Sequence, residues 1–257
     1  MARYFLEVMY DGGAFHGSQI QKDLPTVQLA INQAISTLLR QEIETIGASR
    51  TDEGVHALCS YFHFDIDQTP PSNFVYRVNA LLPFSISLKA LYRANDPELN
   101  ARFAAEKRRY RYKIHNRKNP FLHNRSLFYP FSIDINTLHK TAEIIKEYTN
   151  FETFSKRNTQ TYTYNCTIFD SYWEERDNEL HYIVEANRFL RGMVRGLVGT
   201  QLQVARGRHT IDEFKKIIES KDCGNADFSV AGHGLYLEHI QYPEDALVEI
   251  KDTKTNL

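Results

Sequence analysis

Cysteine is scarce in this chain, with three residues in 257 and no two of them close enough to form a CxxC motif. Cys59, Cys166 and Cys223 are odd in number and far apart, which argues against a disulfide framework and against a zinc site built from neighbouring thiolates. A run of eighteen uncharged apolar residues, as a membrane-spanning helix requires, is also missing. Glu7 and Asp11 interrupt the apolar stretch at the start, where a secretory signal would be continuous. We therefore expect a cytoplasmic protein that does not enter a membrane.

Three motifs of familiar catalytic sites are missing as well. The sequence contains no HExxH, no phosphate-binding loop of the GxxxxGKS or GxxxxGKT form, and no GxSxG. Zinc-dependent hydrolysis, phosphate-loop chemistry and a serine nucleophile therefore lack their usual signatures, and we expect no metal site. What is present is an ordinary globular composition, with 42% hydrophobic and 25% charged residues. This composition supports a folded core, and the length allows one large domain or two small ones.

The net charge of −1 conceals an uneven distribution. Residues 101–118 carry a net charge of +7 and residues 188–209 a net charge of +5, which leaves −13 on the rest of the chain. Either block could be a solvated face. The first block, however, interleaves its bases with Phe103, Tyr110 and Tyr112, and this combination is typical of surfaces that bind phosphates and stack on nucleobases. The distribution favours a nucleic acid as the partner.

Hydrophobic periodicity predicts two halves with the same element order, β-α-β-β-α-β. In the first half it predicts strands over 3–10, 42–49, 57–66 and 86–93, a helix capped by Thr26, and a helix over 72–82. In the second half it predicts strands over 108–116, 161–173, 180–187 and 234–242, and helices over 135–148, 189–203 and 211–220. The predicted fold is α+β, with mainly antiparallel sheets and helices covering one face. The predicted divisions are an amino-terminal half over 1–104, a carboxyl-terminal half over 105–245 and a tail over 246–257.

Glycines flank the first concentrated polar motif, the turn RTDEG at 50–54. Asp52 is placed there at a strand end, with an arginine two residues before it and a glycine two residues after it. Spacing alone also allows an Asx-type turn, in which the carboxylate only caps its own backbone. We expect His56, just beyond the turn, to be a packing or supporting residue.

The second polar motif is the glycine- and arginine-rich segment 187–199. If it is helical, Arg188, Arg191 and Arg195 follow i, i+3, i+7 spacing and share one face. No acid lies nearby in sequence, so this stripe is either a solvated surface or a group of arginines that needs anions from outside the helix.

Four blocks in this order resemble the bacterial tRNA pseudouridine synthase A family: RTDEGVHA at 50–57, ARFAAEKRRYRYKIHN at 101–116, MVRGLVG at 193–199 and GLYL at 234–237. The resemblance implies a pseudouridine synthase fold of two ferredoxin-like halves. It implies isomerisation of uridine to pseudouridine in the anticodon stem-loop of tRNA, around positions 38 to 40. It also implies a homodimer and a reaction without cofactor, because the isomerisation gains and loses no atom.

The same resemblance implies the site residues. The catalytic aspartate falls on Asp52, the active-site tyrosine on Tyr110, and the arginine that pairs with the carboxylate on Arg195. We expect Tyr110 to cover the uracil ring, and Tyr112 to face the opposite side of its strand. The further residues expected to bind tRNA are Arg50, Arg108, Arg109 and Arg191.

Some positions depart from the family pattern. Ser18 stands where the family usually has tryptophan, Ser49 replaces a glycine, Glu53 replaces a small residue, and Arg191 and Gly192 replace histidines. A paralogue with a different uridine target, or a non-catalytic tRNA-binding module, therefore stays an alternative. A glycosidase with paired carboxylates is a weaker one, since Asp52 and Glu53 are adjacent and their side chains diverge on a strand.

Overall fold

A computed structural model describes residues 1–157 and 161–251. The strands are β1 (Ala2–Tyr10), β2 (Ile46–Gly47), β3 (His56–Ile66), β4 (Ile86–Ala94), β5 (Lys107–His115), β6 (Leu127–Phe128), β7 (Ile168–Arg176), β8 (Glu179–Ala186), β9 (Leu235–Gln241) and β10 (Leu247–Ile250). The α-helices are α1 (Val27–Leu39), α2 (Phe74–Asn79), α3 (Ile135–Ile145), α4 (Met193–Ala205) and α5 (Ile211–Glu219). The predicted α+β class with mainly antiparallel strands is confirmed. Within the described ranges no helix could span a membrane.

The described chain forms two compact units. Unit 1 comprises Met1–Glu106 and the described residues from Leu237 on, and unit 2 comprises Lys107–Tyr236. In unit 1 the strand order is β10-β4-β1-β3-β9, with β2 beside β3. Strand β1 is antiparallel to both β3 and β4, so that Leu6 lies opposite Phe62 on one side and Leu91 on the other. All three side chains are buried and form the centre of the unit 1 core.

Helix α1 begins where the sequence predicts. The Thr26 hydroxyl accepts a hydrogen bond from Leu29 N and caps the helix, whose buried side chains include Ile31 and Ile35. The predicted strand over 42–49 is wrong for most of its length, because the ladder with β3 is confined to Ile46–Gly47, with one further bond from Ala48 N to Tyr61 O. The residues just before this pair bond to polar side chains of α1 instead.

These bonds satisfy the backbone without a strand partner. Ile43 N donates to Ser36 Oγ at 2.8 Å, and Thr45 N donates to Asn32 Oδ1 at 3.1 Å. These two backbone donors are already bonded to side chains, so they are not available to a strand ladder. Residues 247–250 of the predicted tail form β10 and pair with β4, while residues 252–257 lie outside the described part of the chain.

Unit 2 contains the strand order β5-β8-β7, all antiparallel, with β6 parallel to the end of β5. Its helices pack on the sheet through a buried polar link. Gln201 of α4 accepts hydrogen bonds on Oε1 from Trp173 Nε1 of β7 at 2.9 Å and from Thr141 Oγ1 of α3 at 3.1 Å. This link ties two helices to one strand and sets the position of α4.

The predicted helix over 189–203 is wrong at its start. Gly192 has φ +77°, in the left-handed region, and α4 begins only at Met193. Arg188 and Arg191 therefore precede the helix, and the predicted stripe of three arginines on one helical face does not exist.

Candidate active site

Asp52 lies on a turn of unit 1. The residue before it, Thr51, is held by hydrogen bonds of its amide, its carbonyl and its hydroxyl. Thr51 N donates to Ser18 Oγ at 2.8 Å, and Ser18 N donates to Thr51 O at 3.1 Å. The Thr51 hydroxyl is 2.8 Å from the hydroxyl of Tyr10, at the end of β1. Ser18, Thr51 and Tyr10 are all buried. The turn is thus fastened to the segment that follows β1, and Asp52 is presented on a fixed backbone.

Two further contacts fasten the other side of the turn. A Cβ on Gly12 would lie 2.0 Å from Val55 O, so only glycine allows the segment after β1 to approach this closely. His56 Nδ1 lies 3.0 Å from Asp11 Oδ1 and 3.1 Å from Gly12 N. The histidine is 2% exposed, which confirms the prediction that it packs and supports the turn.

The turn exposes its polar residues unequally. Asp52 is half-buried between the buried Thr51 and the exposed Glu53, and Arg50 is exposed. Beside the turn, unit 1 contains a cleft of about 200 Å³, and both Arg50 and Arg102 line it. The two guanidinium groups give the cleft the charge and the donors that suit a phosphate or a nucleobase edge.

Tyr110 lies on β5 in unit 2, opposite Val184 of β8. It is 7% exposed, and its ring meets that of Phe189 edge to face with 5.0 Å between centroids. The expectation that Tyr112 faces the opposite side is wrong, because burial alternates along β5 and residues two apart share a face. Tyr112 differs from Tyr110 in being fully buried, with its hydroxyl donating to Ala231 O at 2.7 Å.

Arg195 lies in the first turn of α4 in unit 2. Its Nε donates to Val230 O at 2.8 Å, so the guanidinium is oriented by the segment 226–231. Burial raises the pKa of Tyr112, and the positive charge of Arg195 opposes that rise. Arg195 and Tyr112 therefore lie in one region of unit 2, bonded to consecutive carbonyl groups of the same segment.

Close packing of α4 makes this arrangement possible. A Cβ on Gly199 would lie 2.2 Å from Asp227 O, so glycine is needed for the segment 226–231 to rest on the helix. Asp227 N also donates to Thr200 Oγ1 at 3.0 Å. No motif in the sequence marks this segment, because its role is to supply backbone carbonyls, which every residue type carries.

The arginines predicted to bind tRNA lie in different settings. Arg108 is 8% exposed and donates through Nη1 to Asn187 O at 2.9 Å. Arg109, on the other face of β5, donates to the Tyr172 hydroxyl at 2.7 Å. Arg191 is exposed, in the loop before α4.

The predicted site residues fall in both units. Asp52 and Arg50 belong to unit 1, and Tyr110, Arg108, Arg109, Arg191 and Arg195 belong to unit 2. The segment 226–231 is the supporting part that sequence reasoning missed, and the supporting role of Ser18 was not predicted either. Only its departure from the family pattern drew attention to Ser18. In the described ranges, no three His, Cys, Asp or Glu side chains are grouped to hold a metal ion.

Comparison with known proteins adds a further finding. Residues 148–243 match the model of a family described as tRNA pseudouridine synthase. A tRNA pseudouridine synthase A of Parabacteroides distasonis is 39% identical over 248 residues, covering 95% of this chain and 98% of that protein. The protein of the same name from Bacteroides thetaiotaomicron is 40% identical over 255 residues, 97% of this chain and 94% of that protein. One from Staphylococcus aureus is 32% identical over 250 residues, 96% of this chain and 94% of that protein.

Proposed function

Because the chain belongs to the tRNA pseudouridine synthase A family, a family of isomerases, we propose that it converts uridine to pseudouridine in tRNA. The observation that carries the proposal is similarity over nearly the whole chain to proteins of that name. The target uridines are those of the anticodon stem-loop, around positions 38 to 40, as the four matching sequence blocks imply.

The reaction breaks the C1′–N1 bond of uridine, turns the released uracil and forms a C1′–C5 bond. C5 loses a proton and N1 gains one, so atoms and electrons balance without a cofactor. Asp52 supplies the carboxylate that this isomerisation requires. Its fixed turn supports the role, because a catalytic group must be held in a defined position before the substrate arrives.

Tyr110 and Arg195 have complementary roles in the proposal. Tyr110 covers the uracil ring, and its hydroxyl relays the proton lost from C5. Arg195 is the arginine that the resemblance implies as the partner of the catalytic carboxylate, and its role is to orient that group. The hydrogen bond from Arg195 Nε to Val230 O supports this role, because it leaves the guanidinium little freedom to turn.

The tRNA must release the target uridine from its stack, which costs a few kcal/mol. Arg50 is proposed to enter the vacated space or to hold a phosphate, and its place on the cleft beside the turn supports this. Arg108, Arg109 and Arg191 remain proposed tRNA-binding residues. The burial of Arg108 and its bond to Asn187 O also give it a role in holding the loop before α4.

The decisive experiment maps pseudouridine in unmodified tRNA after incubation with the protein, by carbodiimide treatment and primer extension. We expect stops in the anticodon arm with the wild type, and none with Asp52→Asn. Glu44→Gln is the matched control, because Glu44 is an exposed carboxylate of unit 1 outside the turn 50–54. A wild type without stops, or undiminished stops with Asp52→Asn, would refute the assignment. Salt-dependent binding without modification would instead indicate a non-catalytic tRNA-binding module.

Three broader features complete the proposal. Each half is ferredoxin-like, which the antiparallel order β4-β1-β3-β2 in unit 1 supports. The division near residue 104 and the carboxyl-terminal half ending near 245 remain proposed boundaries of the repeated sequence halves; they differ from the compact units in that residues 237–245 belong to unit 1. The protein acts as a homodimer in the cytoplasm, where its tRNA substrate resides.

A further inference from the structure

The densest basic region of the chain extends further than the block at 101–118. Residues 107–133 contain eight lysines and arginines and no acid. The structure divides these bases between strand β5 and the loop after it, which we call the basic loop and define as residues 116–126. The two parts lie in very different electrostatic surroundings.

The bases of β5 interact with groups of the neighbouring strands. Lys107 Nζ lies 3.8 Å from Glu185 Oε1 of β8, and Arg111 Nη1 lies 4.0 Å from Glu174 Oε1 of β7. Arg109 donates to a tyrosine hydroxyl of β7. These charges are partly balanced inside unit 2, so the strand contributes less attraction for a polyanion than its sequence indicates.

The basic loop differs because it contains no acid and displays its side chains. Arg117, Lys118, Phe121 and His123 are all exposed, and Phe121 is 90% exposed. A large apolar ring at this exposure, among exposed cations, is the combination that binds an unpaired base beside a phosphate. Isolated exposed cations would not by themselves favour nucleic acid.

The backbone of the basic loop is held in place although its side chains are exposed. Asn119 Oδ1 accepts from Phe121 N at 3.0 Å and caps a short 3₁₀ helix, Pro120–Leu122. The Tyr236 hydroxyl donates to Arg125 O at 2.7 Å, which anchors the far end of the loop. A ring presented on a fixed backbone loses little entropy when a base stacks on it.

We propose that the basic loop is a tRNA-binding surface, in which Arg117 and Lys118 bind phosphates and Phe121 stacks on an unpaired base of the tRNA. This inference rests on the proposed function, since tRNA is the partner it assumes. In this proposal the main electrostatic contact of this region with tRNA is made by the basic loop and not by the arginines of β5.

The two kinds of contact predict different responses to salt. For Arg117→Gln/Lys118→Gln we expect the Kd for full-length unmodified tRNA to rise about tenfold at low salt. The slope of log K against log salt should fall in magnitude by roughly 1–2, because two phosphate contacts are lost. For Phe121→Ala we expect a rise of about tenfold with no change in slope, because stacking releases no counterions. Phe121→Tyr should restore the affinity.

Matched controls come from exposed residues elsewhere. Lys140→Gln/Lys216→Gln removes two exposed charges from α3 and α5 of the same unit, and Phe84→Ala removes a fully exposed ring of unit 1. Both should retain wild-type affinity and slope. Thermal denaturation of each variant checks that it is folded, and the loop variants should raise KM for pseudouridine formation while kcat is retained.

The outcomes separate this inference from the proposed function. A wild type that neither binds nor modifies tRNA refutes the function. A wild type that modifies tRNA, with loop variants that keep its Kd and salt slope, refutes only the inference. Loop variants that keep tRNA binding but lose binding to phosphatidylglycerol vesicles would assign the loop to an anionic membrane surface and would also overturn it.

Discussion

Ser18 holds the backbone of the residue next to Asp52. Its hydroxyl accepts from Thr51 N and its own amide donates to Thr51 O, so both backbone groups of a buried residue are satisfied. The resemblance to the family implies a tryptophan at this position. The buried serine therefore contributes to the shape of the turn, and the departure from the family pattern is accommodated within unit 1.

His63 provides a residue-scale prediction about pH. Burial lowers its pKa to about 4, and the positive charge of Arg3 adds to the lowering. The buried ring is stacked on Phe5, and its Nδ1 accepts from Ala101 N. The unfolded chain binds a proton near pH 6.5, whereas the folded protein does not until about pH 4. The free energy of unfolding should therefore fall as the pH drops from about 6.5 to 4, by roughly 3 kcal/mol at most.

Urea denaturation of the wild type and His63→Gln across this pH range checks the prediction. The difference between the two curves isolates His63, because the other histidines are common to both proteins. The His63→Gln curve should be flatter with pH. Parallel curves would show that His63 does not carry the effect.

Helix α4 is predicted from the sequence, but the residue at which it begins is not. Its apolar periodicity indicates a helix, but the left-handed Gly192 delays the start to Met193 and removes Arg188 and Arg191 from it. For β2, the side chains of α1 take backbone hydrogen bonds that a strand would use. Both differences arise from contacts or backbone angles that hydrophobic periodicity does not report.

Gly199→Ala is the prediction at the scale of elements. The new methyl group would lie 2.2 Å from Asp227 O, so the segment 226–231 must move away from α4. This movement breaks the hydrogen bond from Arg195 Nε to Val230 O. We expect roughly 1–3 kcal/mol of destabilisation and a lower kcat for pseudouridine formation.

Gly207→Ala is the matched control for this change. A Cβ at Gly207 meets no atom within 4 Å, but φ is +76°, so it should cost about 1–2 kcal/mol through backbone strain alone. The two variants should therefore have similar stability, while only Gly199→Ala loses kcat. Equal kcat values would show that close packing on α4 does not control Arg195.

At the scale of the whole molecule, the near-zero net charge requires that tRNA binding be local. The chain carries −13 outside its two basic blocks, and that part should repel a polyanion at moderate salt. The exposed cations of the basic loop are therefore the part of the surface on which binding should depend most.

The homodimer is the prediction at this scale. Equilibrium sedimentation at micromolar concentration should give twice the mass of the chain, because the resemblance implies a homodimer. Addition of tRNA should not be needed for dimerisation. A single species with the mass of one chain would contradict the prediction.

The sequence by itself determined the class of fold and the family, and it predicted Asp52, Tyr110 and Arg195 as the site residues. Periodicity and motif spacing are local properties, and a chain retains them before it folds. The tertiary structure alone decided which polar groups meet. It placed Ser18 under the turn, joined Arg195 to the segment 226–231, and paired bases of β5 with acids of β7 and β8. These partners are distant in sequence. Only the packing of the folded chain brings their atoms close enough to form hydrogen bonds and ion pairs.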